Sequence, residues 1–156
     1  MTELTVGMKA PGFSALSDAN EMVSLDNFLG KKVILYFYPK DNTPGCSVEA
    51  QQFNAAYDAL YKAGYVVLGV SRDTVKRHVN FKAKYDLKFL LLADTDEAIC
   101  NAYGVMKEKK LYGKVSIGIE RSTFVIDETG QITHIYRGVK AKEHVGALLV
   151  DLGVAE

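Results

Sequence analysis

The residues with the most chemistry to offer are gathered in one short stretch, Tyr38-Pro39-Lys40-Asp41-Asn42-Thr43-Pro44-Gly45-Cys46. It places a thiol where a buried-strand pattern gives way to a helical one. A helix start presents backbone N–H groups without partners and the positive end of the macrodipole, and both favour thiolate over thiol. Pro44 has no N–H with which to compete, and its ring restrains the approach to the helix. Gly45 lets the chain come close to a ligand, and Thr43 supplies a hydroxyl beside the thiol. Together these residues describe an activated nucleophile in a donor-lined pocket. The plainer alternative is a small, apolar, inert cysteine at a helix start.

Other candidates for chemistry are weaker. His78, His134 and His144 are scattered, with no Cys, Asp or Glu at ligand spacing except Glu143, so all three read as ordinary histidines and no metal is expected. The glycine pair Gly113 and Gly118 has the first spacing of a phosphate loop, but Ile119-Glu120 follows it instead of Lys-Ser/Thr. There is no Gly-x-Gly-x-x-Gly, and no cofactor is expected. The absence of Cys-x-x-Cys counts against a thioredoxin-type disulfide reductase. Lys107-Glu108-Lys109-Lys110 reads as a solvated loop, and Tyr36, Phe37 and Tyr38 as packing within one strand, not a base-stacking platform.

The elements that must position the thiol follow from periodicity. Residues 13–16 and 22–25 flank Ser17-Asp18-Ala19-Asn20 as a small hairpin. Residues 32–38 form a near-continuous apolar run, a buried strand that Pro39 stops. From about Cys46 the pattern is helical, with Phe53, Ala56, Tyr57 and Leu60 on one face and Gly64 suited to the position after the last turn. Residues 65–71 are a second buried strand. The spacing predicts a helix over 74–85 with Val75, Val79 and Ala83 inward, a strand over 89–93, and a helix over 95–103 with Ile99 and Tyr103 inward. Residues 121–127 and 131–138 are strands around Glu128-Thr129-Gly130, and a last helix carries Val145, Leu148, Leu149 and Leu152. Strands separated by helices pair in parallel through right-handed crossovers, while the late hairpin adds antiparallel strands. The expectation is an α/β chain with a mixed central sheet, helices on both faces and an N-terminal β-hairpin. A thioredoxin-like fold satisfies this, and so would a flavodoxin-like sheet.

Composition narrows the classes. The chain has 156 residues, 48% hydrophobic and 24% charged, the balance of one globular domain spanning 1–156. Lys+Arg and Asp+Glu are both 19, which argues against a nucleic-acid binder relying on a strong basic field. No apolar run is long enough to span a bilayer, and the N-terminal residues lack the apolar region of a secretory signal. Two cysteines cannot build a disulfide scaffold, and the expected location is the reducing cytoplasm.

The segment around Cys46 resembles the peroxidatic loop of the peroxiredoxins, Pro-x-x-x-Thr/Ser-x-x-Cys, matched by Pro39, Thr43 and Cys46. The stretches YFYPKDNTPGCSVEA, NFKAKYDLKFLLLADTDEAICNAYGV and YGKVSIGIERSTFVIDETGQI are similar to the bacterioferritin comigratory, or Q-type, subfamily. This resemblance extends from about Gly7 to the last helix. It implies the thioredoxin fold and reduction of hydrogen peroxide or organic hydroperoxides through a Cys46 sulfenic acid. It also implies roles for neighbours. Arg121 would stabilise the thiolate and the charge developing along the O–O bond. Thr43 and the Cys46 N–H would hydrogen-bond the peroxide, Pro39 would shield the thiolate, and Glu49 would hold the arginine. Without the resemblance, Arg121 reads as a surface ion pair with Glu120.

The departures from that family concern turnover. The two familiar resolving positions hold Gln51 and Lys82 in place of cysteine. Cys100 reads as a packed core residue, with a bridge to Cys46 as the rival account. The expectation is a one-cysteine mechanism with an external reductant: thioredoxin, glutaredoxin or a low-molecular-weight thiol. The resemblance suggests a monomer, with a dimer as the alternative. A reading of a different class is a non-enzymatic thioredoxin-fold sensor or holdase that lost turnover with its resolving cysteine; intact Pro39, Thr43, Cys46 and Arg121 favour the enzyme.

Overall fold

The computed structural model describes residues 3–154. Its centre is strand β3 (Lys32–Phe37), in which successive side chains enter opposite cores. Val33, Leu35 and Phe37 pack into one apolar cluster and Ile34 and Tyr36 into the other. A run buried on both sides needs a neighbour on each edge and cover on each face. β4 (Tyr65–Ser71) lies parallel to β3, and β5 (Leu90–Ala93) parallel to β4. On the other edge β8 (Ser122–Ile126) is antiparallel to β3, and β9 (Ile132–Arg137) antiparallel to β8. The N-terminal hairpin, β1 (Ser14–Ser17) and β2 (Met22–Ser24), completes the order β2-β1-β5-β4-β3-β8-β9. This is the mixed sheet that the strand and helix pattern requires.

One face carries side chains from α1 (Pro44–Ala55), α2 (Tyr57–Lys62), α3 (Val75–Tyr85) and α5 (Ala141–Leu152), among them Phe53, Leu60, Phe81 and Leu148. The other is covered by α4 (Ala98–Ala102) through Ile99 and Cys100, with Val23 and Leu25. Among the described residues no helix is long and apolar enough to cross a membrane.

Three expectations need correction. The helical run after Cys46 is two helices, broken at Ala56. Helix α3 does not turn Val79 and Ala83 inward; both are exposed, and His78 and Phe81 are buried in their place. Counting only apolar residues hides a buried face whose leading member is a histidine. The stretch from Lys107 to Lys110 is not a loop but part of β6 (Met106–Leu111), antiparallel to β7 (Lys114–Ile119) in a separate two-stranded sheet. Its two-residue turn, Tyr112-Gly113, has φ of 53° and 77°, the positive pair that a tight hairpin turn demands.

Candidate active site

The site is built at the junction of β3, α1 and β8. After β3 the chain runs through an extended loop to Thr43, which takes the N-cap position of α1 at φ −93° and ψ 152°, with proline in the first turn. The first bond into the helix runs from the Ser47 N–H to the Thr43 carbonyl at 2.9 Å, which leaves the Gly45 and Cys46 N–H groups without an intrahelical acceptor. The Thr43 hydroxyl makes no cap bond; it donates to the Lys40 carbonyl at 2.9 Å. With its proton so committed, the oxygen is left able to accept.

Cys46 is 2% exposed. Its Sγ receives Arg121 Nη2 at 3.4 Å, while Arg121 Nη1 reaches Glu49 Oε1 at 2.7 Å. Cys46 and Glu49 are three residues apart on α1 and share a face, so one planar guanidinium spans both. Arg121 precedes β8, and its carbonyl accepts the Val139 N–H at 3.1 Å. Burial alone would lower the Arg121 pKa, but Glu49 and Cys46 beside it carry it above its ordinary value. Burial pushes the Glu49 carboxyl up to about 7, with Arg121 pulling the other way. The second carboxyl oxygen of Glu49 is buried without a hydrogen-bond partner among the described residues, which is why this acid resists ionisation.

The structure therefore brings Cys46, Arg121 and Glu49 together and places Pro39 and Thr43 in the loop that leads to them. Cys100 is elsewhere. It is fully buried on α4, in the core on the opposite face of the sheet from Cys46. Burial, and then a hydrogen bond with Asp94, push its thiol far above the ordinary range. Gln51 is exposed on α1, and Lys82 on α3 is held by Asp18 at 2.9 Å. The alternative reading of Arg121 as a surface partner of Glu120 is not what is found among the described residues, where Arg121 pairs with Glu49.

Two of the three histidines are structural parts of this region. His144 on α5 shares a hydrogen bond with Thr123 Oγ1 at 2.8 Å, and burial followed by the Arg121 charge hold its pKa at about 4. His78 is fully buried against Asp41. The one signal in the sequence was its spacing of three from Phe81.

The two shifted groups predict opposite pH slopes. Glu49 has a folded pKa raised from 4.5 to about 7, so its stabilisation is fully present below 4.5 and is lost as pH rises through about 7. His144 has a folded pKa lowered from 6.5 to about 4, so its contribution is present above 6.5 and is lost as pH falls through about 4. In urea unfolding from pH 4 to 8, Glu49→Gln should gain on wild type as pH rises through 4.5–7. His144→Gln should gain as pH falls from 6.5 to 4. Curves parallel to wild type in both variants would refute the assignment.

Gly45 explains the close approach. A Cβ at this position would lie 3.1 Å from Arg121 Nη2 and 3.6 Å from the Ala141 Cβ, so the guanidinium beside the sulfur would have to give way slightly. Gly45→Ala is expected to slow oxidation of Cys46 by hydroperoxide by roughly 10-fold, because small misplacements at a reacting centre are costly. Competition kinetics measure this, and an unchanged rate would show that the Arg121 contact is slack.

Comparison with known proteins shows the family. Residues 6–135 match the model of the AhpC/TSA family. The chain is 53% identical to the bcp protein of Coxiella burnetii over 146 residues, covering 94% of this chain and 97% of the relative. It is 43% identical to peroxiredoxin Bcp of Bacillus subtilis, covering 96% and 95%. Among solved structures it is similar to the bacterioferritin comigratory protein of Xanthomonas campestris, studied for its alkyl peroxide reduction activity, with a TM-score of 0.86, 44% identity and 90% of each chain covered.

Proposed function

Because this chain belongs to the AhpC/TSA family and is a thiol-dependent peroxidase of the Bcp group of peroxiredoxins, we propose that Cys46 is its nucleophile and that it turns over with external thiols alone. The observation that carries this reading is the single guanidinium held between Glu49 and the Cys46 sulfur at a helix start. Cys46 thiolate attacks the terminal oxygen of the hydroperoxide, the O–O bond breaks, and alkoxide or hydroxide leaves and takes a proton from solvent, giving alcohol or water. Cys46 is left as sulfenic acid. Arg121 Nη2 opposes the negative charge that passes from sulfur to the leaving oxygen. The Cys46 N–H donates to the bound peroxide, and the Thr43 oxygen accepts its O–H. Pro39 shields the thiolate from water.

The location of Cys100 supports the one-cysteine reading. A disulfide needs Cα atoms within about 7 Å, and the seven-stranded sheet stands between the two cores that hold the thiols. Unwinding the first turn of α1 would not carry Cys46 through it. The first external thiol condenses with the sulfenic acid and releases water; the second reduces the mixed disulfide and regenerates Cys46. Thioredoxin, glutaredoxin and low-molecular-weight thiols are the candidate reductants. Two free thiols suit a reducing cytoplasm. Steady-state hydroperoxide consumption with dithiothreitol tests this: Cys100→Ser should keep turnover within about twofold of wild type, and its loss would establish a resolving role for Cys100.

A further inference from the structure

A buried polar cluster lies beside the site and takes no part in the chemistry above. In the loop between β3 and α1, Lys40 and Asn42 are exposed, yet Asp41 between them is 5% exposed. A carboxylate inside a surface loop must have its acceptors filled. Asp41 Oδ1 accepts the Tyr38 hydroxyl at 2.5 Å, Oδ2 meets His78 Nδ1 at 2.7 Å, and the Asp41 N–H donates to Asp73 Oδ2 at 2.8 Å. The same Asp73 oxygen accepts the Ser71 hydroxyl at 2.6 Å. On its far side His78 Nε2 lies 2.9 Å from the Leu92 carbonyl, which only accepts, so that nitrogen carries a proton. Asp41, Asp73 and His78 bring ligand atoms within 4.8 Å of one another, but Asp41 Oδ1 and Asp73 Oδ2 already accept hydrogens from Tyr38, Ser71 and the Asp41 N–H. The cluster is a hydrogen-bond hub joining the loop to the end of β4, to α3 and to β5.

Its position gives it a consequence for the thiol. Asp41 is two residues before Thr43 and five before Cys46, and Asn42 between them turns through φ 61°. Movement of Asp41 therefore moves the Thr43 oxygen and the first turn of α1. Resting on the peroxidase reading above, we propose that Asp41 and His78 are positioning residues. Their contact latches the loop onto α3, and the latch stays closed when Cys46 is oxidised, so the sulfenic acid waits in its pocket for a thiol from outside. The surroundings agree. No thiol stands on α3 at Lys82, which Asp18 fixes, and Cys100 lies behind the sheet, so an opened loop would have no partner to reach.

Two measurements test this. In wild type, amide hydrogen exchange over residues 38–50 should be the same within threefold before and after one equivalent of hydrogen peroxide; a rise of tenfold or more on oxidation would overturn the closed latch. In variants, His78→Phe and Asp41→Ala should each raise exchange over 38–50 while leaving α5 at its wild-type level. Each should slow Cys46 oxidation by about 10- to 100-fold, the scale of a misplaced reacting group. Once formed, their sulfenic acids should react faster than wild type with a reduced protein dithiol, a split that general loosening of the fold would not produce. Asp41→Asn can still accept from Tyr38 and donate to His78 Nδ1, and should restore the peroxide step to within threefold of wild type. Wild-type peroxide rates in His78→Phe would overturn the latch and leave the peroxidase reading standing. Failure of wild-type Cys46 to oxidise at all would overturn that reading instead.

Discussion

Cys46→Ser is expected to reduce hydroperoxides no faster than buffer does, while folding and unfolding like the wild type. The chemical half follows from the surroundings of Sγ. Its one polar contact among the described residues is Arg121 Nη2, a group that donates and cannot remove a proton. A thiol is ionised readily enough to act without a dedicated base, whereas a serine hydroxyl needs one within hydrogen-bond reach. The structural half follows from size and partner. Serine is slightly smaller, and its oxygen can still accept from Arg121, so no buried polar group is left unpaired. Thiol-coupled peroxide consumption and a thermal melt, run together, separate the two halves. Near-normal peroxidase activity in this variant would remove Cys46 from the reaction.

Arg121→Ala should lower the second-order rate constant for hydroperoxide by ~10²–10³, the usual consequence of removing one preorganised donor from a transition state. The variant should still fold, because the partner it abandons can neutralise itself. Glu49 is held toward ionisation by Arg121 and toward protonation by burial; without the arginine, burial alone decides, and the carboxyl keeps its proton through neutral pH. Arg121→Lys should fall between alanine and wild type. An ammonium retains the charge but not the planar fork that reaches Glu49 and Cys46 at once. Stopped-flow oxidation of Cys46 distinguishes the three proteins, and an unchanged rate constant in Arg121→Ala would show that another group stabilises the leaving oxygen.

How far the sequence foretold this site depends on the sequence distance between partners. The place of Cys46 could be read locally, because Pro39 ends one period and the next begins within a few residues. The role of Glu49, three residues on along the same helix, came from the family resemblance. Arg121 is 75 residues from Cys46, and no periodicity connects them; only the family resemblance did. Asp41 and His78 are 37 residues apart, and a histidine does not register in a search for apolar faces, so the inward face of α3 was misjudged along with its role. The β6–β7 hairpin escaped for a different reason. Lys-Glu-Lys-Lys has neither alternation nor β-propensity, and pairing there is specified by the Tyr112-Gly113 turn and not by burial. The doubly buried strands β3 and β4 were legible because nothing but a covered sheet accommodates such runs.

On the proposed mechanism Cys46 alone carries the oxidation and passes it to thiols from outside. The most direct measurement is peptide mapping without reduction after one equivalent of hydrogen peroxide, with dimedone present to capture sulfenic acid. A dimedone adduct on the peptide containing Cys46, with Cys100 recovered as free thiol, is the expected result. A dominant crosslinked peptide joining Cys46 to Cys100 would contradict it.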